Sequence, residues 1–272
     1  MSRFASVALA VAVVGFAGGA NAQQAAQPPT PPQRDFSKTE IKTTDLGHGT
    51  YMLEGEGGNI TVAVGGDGVI MVDGEFAPLH DKTKAAIEKV TDQPIRYLVN
   101  THFHGDHTGG NALFHKDGAT IVANVNVRNR LAAGTTNGLT GAKTPPAETD
   151  ALPTETYNDR TTLKVKGRIA ALGHPKNAHT DGDTYVLFRD ANVLATGDVF
   201  TNGRYPNIDF ANGGNIKGMI AGADTYLKLV NADTKIVRGP WPSCEQSGPC
   251  RVSRNADDRA RSHGQIDQAG QK

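Results

Sequence analysis

Asn100-Thr101-His102-Phe103-His104-Gly105-Asp106-His107-Thr108-Gly109-Gly110 places three histidines and one aspartate within six positions. All four are metal-ligating side chains, and imidazole nitrogen with a small carboxylate oxygen is a donor set that zinc prefers. One helical face would present ligands at i and i+4, and this spacing is tighter than that. It predicts an extended loop in which His102 and His104 alternate, with Asp106 and His107 just beyond. The run follows Ile95-Arg96-Tyr97-Leu98-Val99, which reads as a buried strand. Gly105, Gly109 and Gly110 permit the backbone angles of a tight binding loop. The other reading is a polar surface loop that is merely histidine-rich, and the density of ligand types argues against it.

The stretch resembles the HxHxDH signature of the metallo-β-lactamase superfamily. Ala178-His179-Thr180-Asp181-Gly182-Asp183-Thr184 and Thr196-Gly197-Asp198-Val199-Phe200 continue the resemblance in the same order, so that it covers residues 41–237. It implies an α/β fold, a four-layer αβ/βα sandwich with a metal site at the edge of two packed sheets. By that resemblance His102, His104 and His179 would hold a first zinc ion, and Asp106 and His107 a second, with Asp198 bridging both. Hydroxide on zinc would be the nucleophile, since coordination brings the pKa of water down to about 7. Asp106 would be catalytic as well as ligating, by orienting that nucleophile. Class B β-lactamases place Cys or Ser where Asp198 stands; a carboxylate there is similar to glyoxalase II, lactonases and phosphodiesterases. The resemblance therefore implies hydrolysis of an ester, thioester, lactone or amide carbonyl in a small-molecule substrate. A periplasmic class B-like β-lactamase is the alternative.

Composition sets the outer bounds. The chain has 272 residues, 38% of them hydrophobic, and no formal net charge, which suits one α/β domain with an ordinary core. The charge balance offers no pull toward nucleic acid or an anionic membrane. Ala5 to Ala20 is apolar, lies behind Arg3 and ends in Ala20-Asn21-Ala22, so residues 1–22 read as a secretory signal peptide; a retained anchor is the other reading. The mature chain would carry no stable membrane span and would be periplasmic or secreted. Residues 23–40, rich in Pro and Gln, read as a linker, and residues 41–237 as the hydrolase domain.

Within that domain, strands are expected at Thr50-Leu53, Asn59-Val64 and Val69-Val72, with a turn at Gly65-Gly68, and a helix from Pro78 to Val90. Asp73 ends a strand behind the metal loop and reads either as a turn residue or as a partner that orients a ligand histidine. Ala112 to Phe114 leads into a turn, Thr120-Ala123 is a strand and Asn124-Ala132 a helix. Gly134 to Thr156 is too long for a bare connection and is placed over the site. Strands at Thr162-Val165, Arg168-Leu172, Tyr185-Phe188 and Asn192-Ala195, a helix from Gly218 to Val230 and a strand at Thr234-Val237 complete the pattern. His48, His80 and His115 read as structural, whereas His174 is close enough in sequence to His179 to line the site.

The resemblance breaks after Val237. Superfamily members carry a P-G-H-G turn there whose histidine completes the second metal site; here Arg238-Gly239-Pro240-Trp241-Pro242 holds no ligand. From Ser243 onward there is one Val, one Ile, and no Leu, Phe, Met or Tyr, so a terminal helix would have no apolar face. A single inserted base accounts for both facts. V-P-G-H-G written GTG CCG GGC CAT GGC, with one G added after GTGC, reads V-R-G-P-W. In the restored frame, permitted codons for the rest allow GHGPAASKADLAAYREMLTIARDR, with the missing histidine and an amphipathic helix. Residues 238–272 thus read as an aberrant, frameshifted tail with the last helix absent. One zinc would be held firmly and the second weakly, and a catalytically impaired metal-binding protein becomes a further alternative. His263 lies in a polar, Arg-rich segment with nothing to position it as a substitute.

Overall fold

The computed structural model describes residues 34–201, 205–239 and 250–251. The signal-peptide reading, most of the linker, and the tail beyond Gly239 except Cys250 and Arg251 lie outside the described residues. So do residues 202–204.

Strands β1 (Lys42–Gly47), β2 (Thr50–Glu54), β3 (Asn59–Gly65) and β4 (Gly68–Val72) form an antiparallel meander, with Gly66-Asp67 as the β3–β4 turn. A 3-10 turn carrying Pro78 leads into α1 (His80–Glu88), and β5 (Ile95–Val99) returns parallel to β4. Next come α2 (Gly105–Thr108), α3 (Asn111–Lys116), β6 (Thr120–Asn124) and α4 (Val125–Ala133), whose first turn is capped by the Asn124 side chain. The segment after Gly134 contains a hairpin, β7 (Thr135–Thr136) and β8 (Lys143–Thr144), and then β9 (Glu155–Tyr157). The first sheet runs β1-β2-β3-β4-β5-β6-β9.

The second sheet is built from β10 (Arg160–Val165), β11 (Arg168–Gly173), β12 (Tyr185–Phe188), β13 (Val193–Ala195), β14 (Lys235–Val237) and β15 (Cys250–Arg251), adjacent in that order. Helix α5 (Ile216–Leu229) makes the crossover between the parallel strands β13 and β14. It starts two residues before the expected Gly218, because the Asn215 side chain accepts from Gly218 N at 2.9 Å and closes the first turn. The backbone of Cys250 and Arg251 pairs antiparallel with Ile236 and Lys235, so a strand exists inside the segment read as aberrant.

Alternation along the strands sorts side chains into layers. Ile70, Val72, Val99 and Val122 face Leu163, Leu172, Val186, Phe188 and Val193 between the two sheets. Leu53, Val62, Met71 and Leu98 face the other way, under Ala86, Ile87 and Phe114 of α1 and α3. Tyr185, Leu187 and Leu194 pack beneath Met219 and Tyr226 of α5. The order helix, sheet, sheet, helix is the four-layer sandwich. Every residue of β4 is buried because it is covered on both faces. Among the described residues no helix is long and apolar enough to cross a membrane.

Two local details go beyond the sequence reading. Past His104, the stretch holding Asp106 and His107 closes into the single turn α2, with His107 N and Thr108 N both donating to His104 O at 3.0 Å. Glycine makes this possible, because a Cβ at Gly109 would meet Gly105 O, Glu75 O and Ala77 N at under 3 Å. Ala112 to Phe114 is likewise helical, since Phe114 N reaches back to Gly110 O at 3.0 Å.

Candidate metal centre

The ligand-bearing segments leave the ends of β5 and β13 and precede β12, at one rim of the sandwich. Asn100 and Asn111 exchange reciprocal side-chain hydrogen bonds at 2.9 Å, which ties the two ends of the first loop together. His102, His107, His179 and Asp198 are buried, whereas His104 and Asp106 are half-buried. Two groups bring their ligand atoms within 4.8 Å of one another: His102, His104 and His179, and His102, His107 and Asp198. Asp106 Oδ2 lies 3.8 Å from His107 Nε2, at the edge of the second group.

Hydrogen bonds behind the rings set the tautomers. His179 Nδ1 donates to the Asn207 carbonyl at 2.7 Å and His104 Nε2 donates to Asp209 Oδ2 at 3.0 Å. Thr101 Oγ1 donates to Asp73 Oδ2 at 2.8 Å, which leaves it to accept from His102 Nδ1 at 3.1 Å. The opposite nitrogens therefore point lone pairs inward. His104 Nδ1 faces His102 Nε2 at 3.0 Å and His179 Nε2 at 3.1 Å. Three lone pairs meeting without a proton repel one another, and a cation among them turns that repulsion into coordination. The donor set fits a divalent metal.

A second fit appears one ring away. His107 Nδ1 donates to Asp73 Oδ2 at 2.8 Å, while His107 Nε2 and Asp198 Oδ1 face each other at 3.3 Å, too poorly aligned for a hydrogen bond. Among the described residues both are buried polar atoms without a hydrogen-bond partner, and a cation between them would satisfy both. The other oxygen, Asp198 Oδ2, lies 3.7 Å from His179 Nε2, so one carboxylate addresses both groups. Burial, reinforced by the neighbouring imidazoles, holds the pKa of His102 well below the usual histidine range and keeps it neutral. Burial works the same way on His107, but Asp73 and Asp198 overcome it and raise its pKa. The Asp198 carboxyl is driven down to about 2: burial opposes ionisation, and His107 and His179 outweigh it.

Asp73 thus holds two of the candidate ligand rings, His107 directly and His102 through Thr101, and is more than a turn residue. Its Oδ1 accepts from Thr101 N at 2.7 Å, and its Oδ2 serves His107 directly and His102 through Thr101. It adopts φ +67, a conformation uncommon outside glycine, which the surrounding contacts hold in place. His174 Nδ1 bonds the Asp183 carbonyl at 2.7 Å and contributes nothing to either ligand group. His48 sits in a turn at φ 51, and His80 begins α1, so both are structural. His115 is structural too, its Nδ1 lying 3.1 Å from the Ala119 carbonyl.

The sequence reading missed Asp209, Asn207 and Glu75. Asn207 contributes only its carbonyl, which any residue would supply. Asp209 lies in Ile208-Asp209-Phe210, with no spacing that links it to His104, 105 residues earlier. Asp209→Ala is expected to weaken metal binding about 10-fold, since outer hydrogen bonds orient ligand rings. Competition against a chromogenic chelator checks this, and unchanged affinity would contradict the assigned role.

Glu75 accepts from Gly57 N at 2.8 Å and Gly58 N at 3.1 Å, while its carbonyl receives Gly110 N at 3.0 Å, so it clamps the metal loop. Burial pushes its carboxyl up from 4.5 to about 7, against the pull of these N–H groups. Between those values the unfolded chain gives up the proton first, so this group costs stability as pH rises through the window. Glu75→Gln cannot ionise and is expected to flatten the fall in Tm between about pH 5 and about pH 7. Thermal melts across that range check this; parallel wild-type and variant slopes would refute it.

The hairpin β7–β8 approaches the same rim. Asn212 Nδ2 donates to Thr136 O at 3.1 Å, and a Cβ at Gly138 would meet Ala211 Cβ at 2.8 Å and the Phe210 ring at 3.2 Å. Leu139, Tyr205 and Phe210 are 81%, 71% and 61% exposed beside the segment that holds His179 and His104.

Comparisons with known proteins agree with this geometry. The sequence profile described as "Metallo-beta-lactamase superfamily" matches residues 53–249. A metallo-beta-lactamase from Pontibacter korlensis superposes with a TM-score of 0.60 at 16% identity, covering 75% of this chain and 92% of that one. A Cronobacter sakazakii metallo-beta-lactamase with a HARLDQ motif gives a TM-score of 0.57 at 19% identity, over 73% of this chain and 78% of that one. The alpha subunit of 2,4-dinitroanisole O-demethylase from Nocardioides sp. (strain JS1661) is 29% identical over 150 residues, 53% of this chain. The match spans only 42% of that relative's length. The profile match covers well over half of the sequence and contains every candidate ligand group described above: the chain belongs to the metallo-β-lactamase superfamily.

Proposed function

We propose that this chain is a zinc-dependent hydrolase acting on an ester, thioester, lactone or amide carbonyl of a small molecule. The observation that carries the reading is the convergence of three imidazole lone pairs at 3.0–3.1 Å, each ring fixed from behind by a hydrogen bond. When bound, zinc supplies a water of lowered pKa and polarises the oxygen of the scissile group. The chain's own residues do the positioning. Thr101, Asn207 and Asp209 hold the rings of the first group, and Asp73 holds one ring of each group. Asp106, the carboxylate at the open edge, would orient the attacking water and take its proton at a carboxylate oxygen; its Oδ2 at 3.8 Å from His107 Nε2 supports that role. Asp198 at the shared position supports carbonyl chemistry at two cations, because a carboxylate offers both oxygens where Cys or Ser offers one atom.

Leu139, Tyr205 and Phe210 at the rim support a substrate with an apolar or aromatic group. The similarity to an O-demethylase subunit favours a second reading, hydrolysis of an aryl ether. We further propose export directed by residues 1–22, and two zinc ions in a complete site with the second held weakly here. A catalytically impaired metal-binding protein is the reading that the missing turn histidine favours. The test is turnover by the zinc-loaded chain on p-nitrophenyl esters, a thioester, a lactone, a chromogenic cephalosporin and 2,4-dinitroanisole. Turnover of the carbonyl substrates, lost in His179→Ala, supports the proposal. Activity confined to the cephalosporin or the ether selects one of the other readings, and zinc binding without any turnover selects the impaired one.

A further inference from the structure

Asn212 is buried, and each of its polar atoms has a partner. It closes the 3-10 turn Phe210–Asn212, its N lying 3.2 Å from Asp209 Oδ1, and Gly213 follows at φ +89. Its side-chain oxygen accepts from Arg130 Nη1 at 3.3 Å. Its side-chain nitrogen donates to Thr136 O at 3.1 Å and to Asp209 Oδ2 at 2.8 Å. Turned over, the amide would set its oxygen against two acceptors and its NH2 against a guanidinium, so these partners fix its orientation.

The two acceptors belong to different parts of the rim. Thr136 lies in β7, the first strand of the hairpin that ends with β8. Asp209 Oδ2 is the atom that also accepts from His104 Nε2, at 3.0 Å. A single NH2 group therefore bridges the hairpin backbone and the carboxylate behind a candidate ligand ring. Its mount is firm. Arg130 of α4 donates to Asp181 Oδ2 from Nη2 at 2.6 Å and from Nε at 3.2 Å. Asp181 stands two residues past His179, and its N donates to Asn212 O at 3.1 Å.

We infer that Asn212 is a positioning residue that couples the β7–β8 hairpin to the metal ligand His104. A cation that fixes the His104 ring restrains Asp209, and Asp209 restrains the amide that holds Thr136 O. In reverse, lifting the hairpin loosens the amide, the carboxylate and the ring in turn. Linkage makes the two effects equal in free energy. The inference rests on the metal-centre reading of His104 and needs nothing from the substrate.

The experiment measures zinc affinity of the full chain, by competition with a chromogenic chelator, in Asn212→Asp, Asp209→Ala and the double variant. Asp keeps the size and can still accept from Arg130, but it sets an oxygen against Thr136 O and Asp209 Oδ2. Asn212→Asp is expected to weaken zinc about 3- to 10-fold alone. On top of Asp209→Ala it should add less than about 2-fold, because it acts through that carboxylate. Hydrogen exchange is the second readout. Zinc should slow exchange across residues 135–144 of the wild-type chain by about 3-fold or more, and leave it unchanged in zinc-saturated Asn212→Asp. The β10–β11 hairpin is the control for global stabilisation. Arg130→Gln, which removes the donor that fixes the amide, is read in the same way should Asn212→Asp fail to fold. Equal losses of affinity with and without Asp209, or zinc protection of the hairpin that survives Asn212→Asp, would overturn the coupling. A wild-type chain that binds no zinc would overturn the metal centre and the coupling together; unchanged affinity in Asn212→Asp would overturn the coupling alone.

Discussion

Asp73→Asn is expected to lower affinity for the second metal about 10- to 100-fold, to weaken the first less, and to cut kcat/KM by a similar factor. The reason is its position behind both groups. One oxygen accepts from Thr101 N at 2.7 Å; the other accepts from His107 Nδ1 and Thr101 Oγ1, both at 2.8 Å. Asn keeps the shape and tolerates φ +67, but replaces one acceptor with a donor and removes the charge that holds His107. His107 loses its direct partner, whereas His102 is reached only through Thr101, so the two candidate groups should respond unequally. Asp73→Ala adds backbone strain at a left-handed position and is expected to lower Tm as well. Zinc titration with stoichiometry resolved checks the asymmetry, and equal loss at both sites would contradict it.

Gly239→Ala is the second large effect. A Cβ there would overlap Asp198 Oδ1 and stand 2.8 Å from Asp198 Cγ, while Gly239 N is held by Gly197 O at 2.9 Å. The backbone cannot retreat without losing that bond, so Asp198 must turn. Its carboxylate faces His107 Nε2 at 3.3 Å and His179 Nε2 at 3.7 Å, and turning it withdraws the carboxylate that addresses a histidine of each group. Loss of the second metal is expected with the His102, His104 and His179 group retained, and with it at least about a 100-fold fall in kcat. Metal content of the purified variant, measured beside its turnover, checks this. Two metals with unchanged activity would show that Asp198 does not bridge.

The candidate ligand cluster was legible in the sequence because it is local and chemically dense. His102 to His107 is one loop, and His179 and Asp198 stand in short motifs of their own. The layers were legible too, since β4 and β5 are continuous apolar runs and α1 and α5 have helical spacing. What tied the rings in place was not legible. Asp209 reaches His104 only because the chain after β13 folds back across the rim, and Asn207 acts through its backbone. The turn that carries Asp106 and His107 was not legible either, because ligand spacing says which side chains meet and little about the backbone between them.

The most direct measurement is zinc stoichiometry and affinity of the chelator-stripped chain at neutral pH, by competition with a chromogenic chelator. At least one zinc ion bound tightly per chain, abolished by His179→Ala and His102→Ala, is the predicted result. No zinc retained by the folded wild-type chain would contradict the account of this cluster as a metal centre.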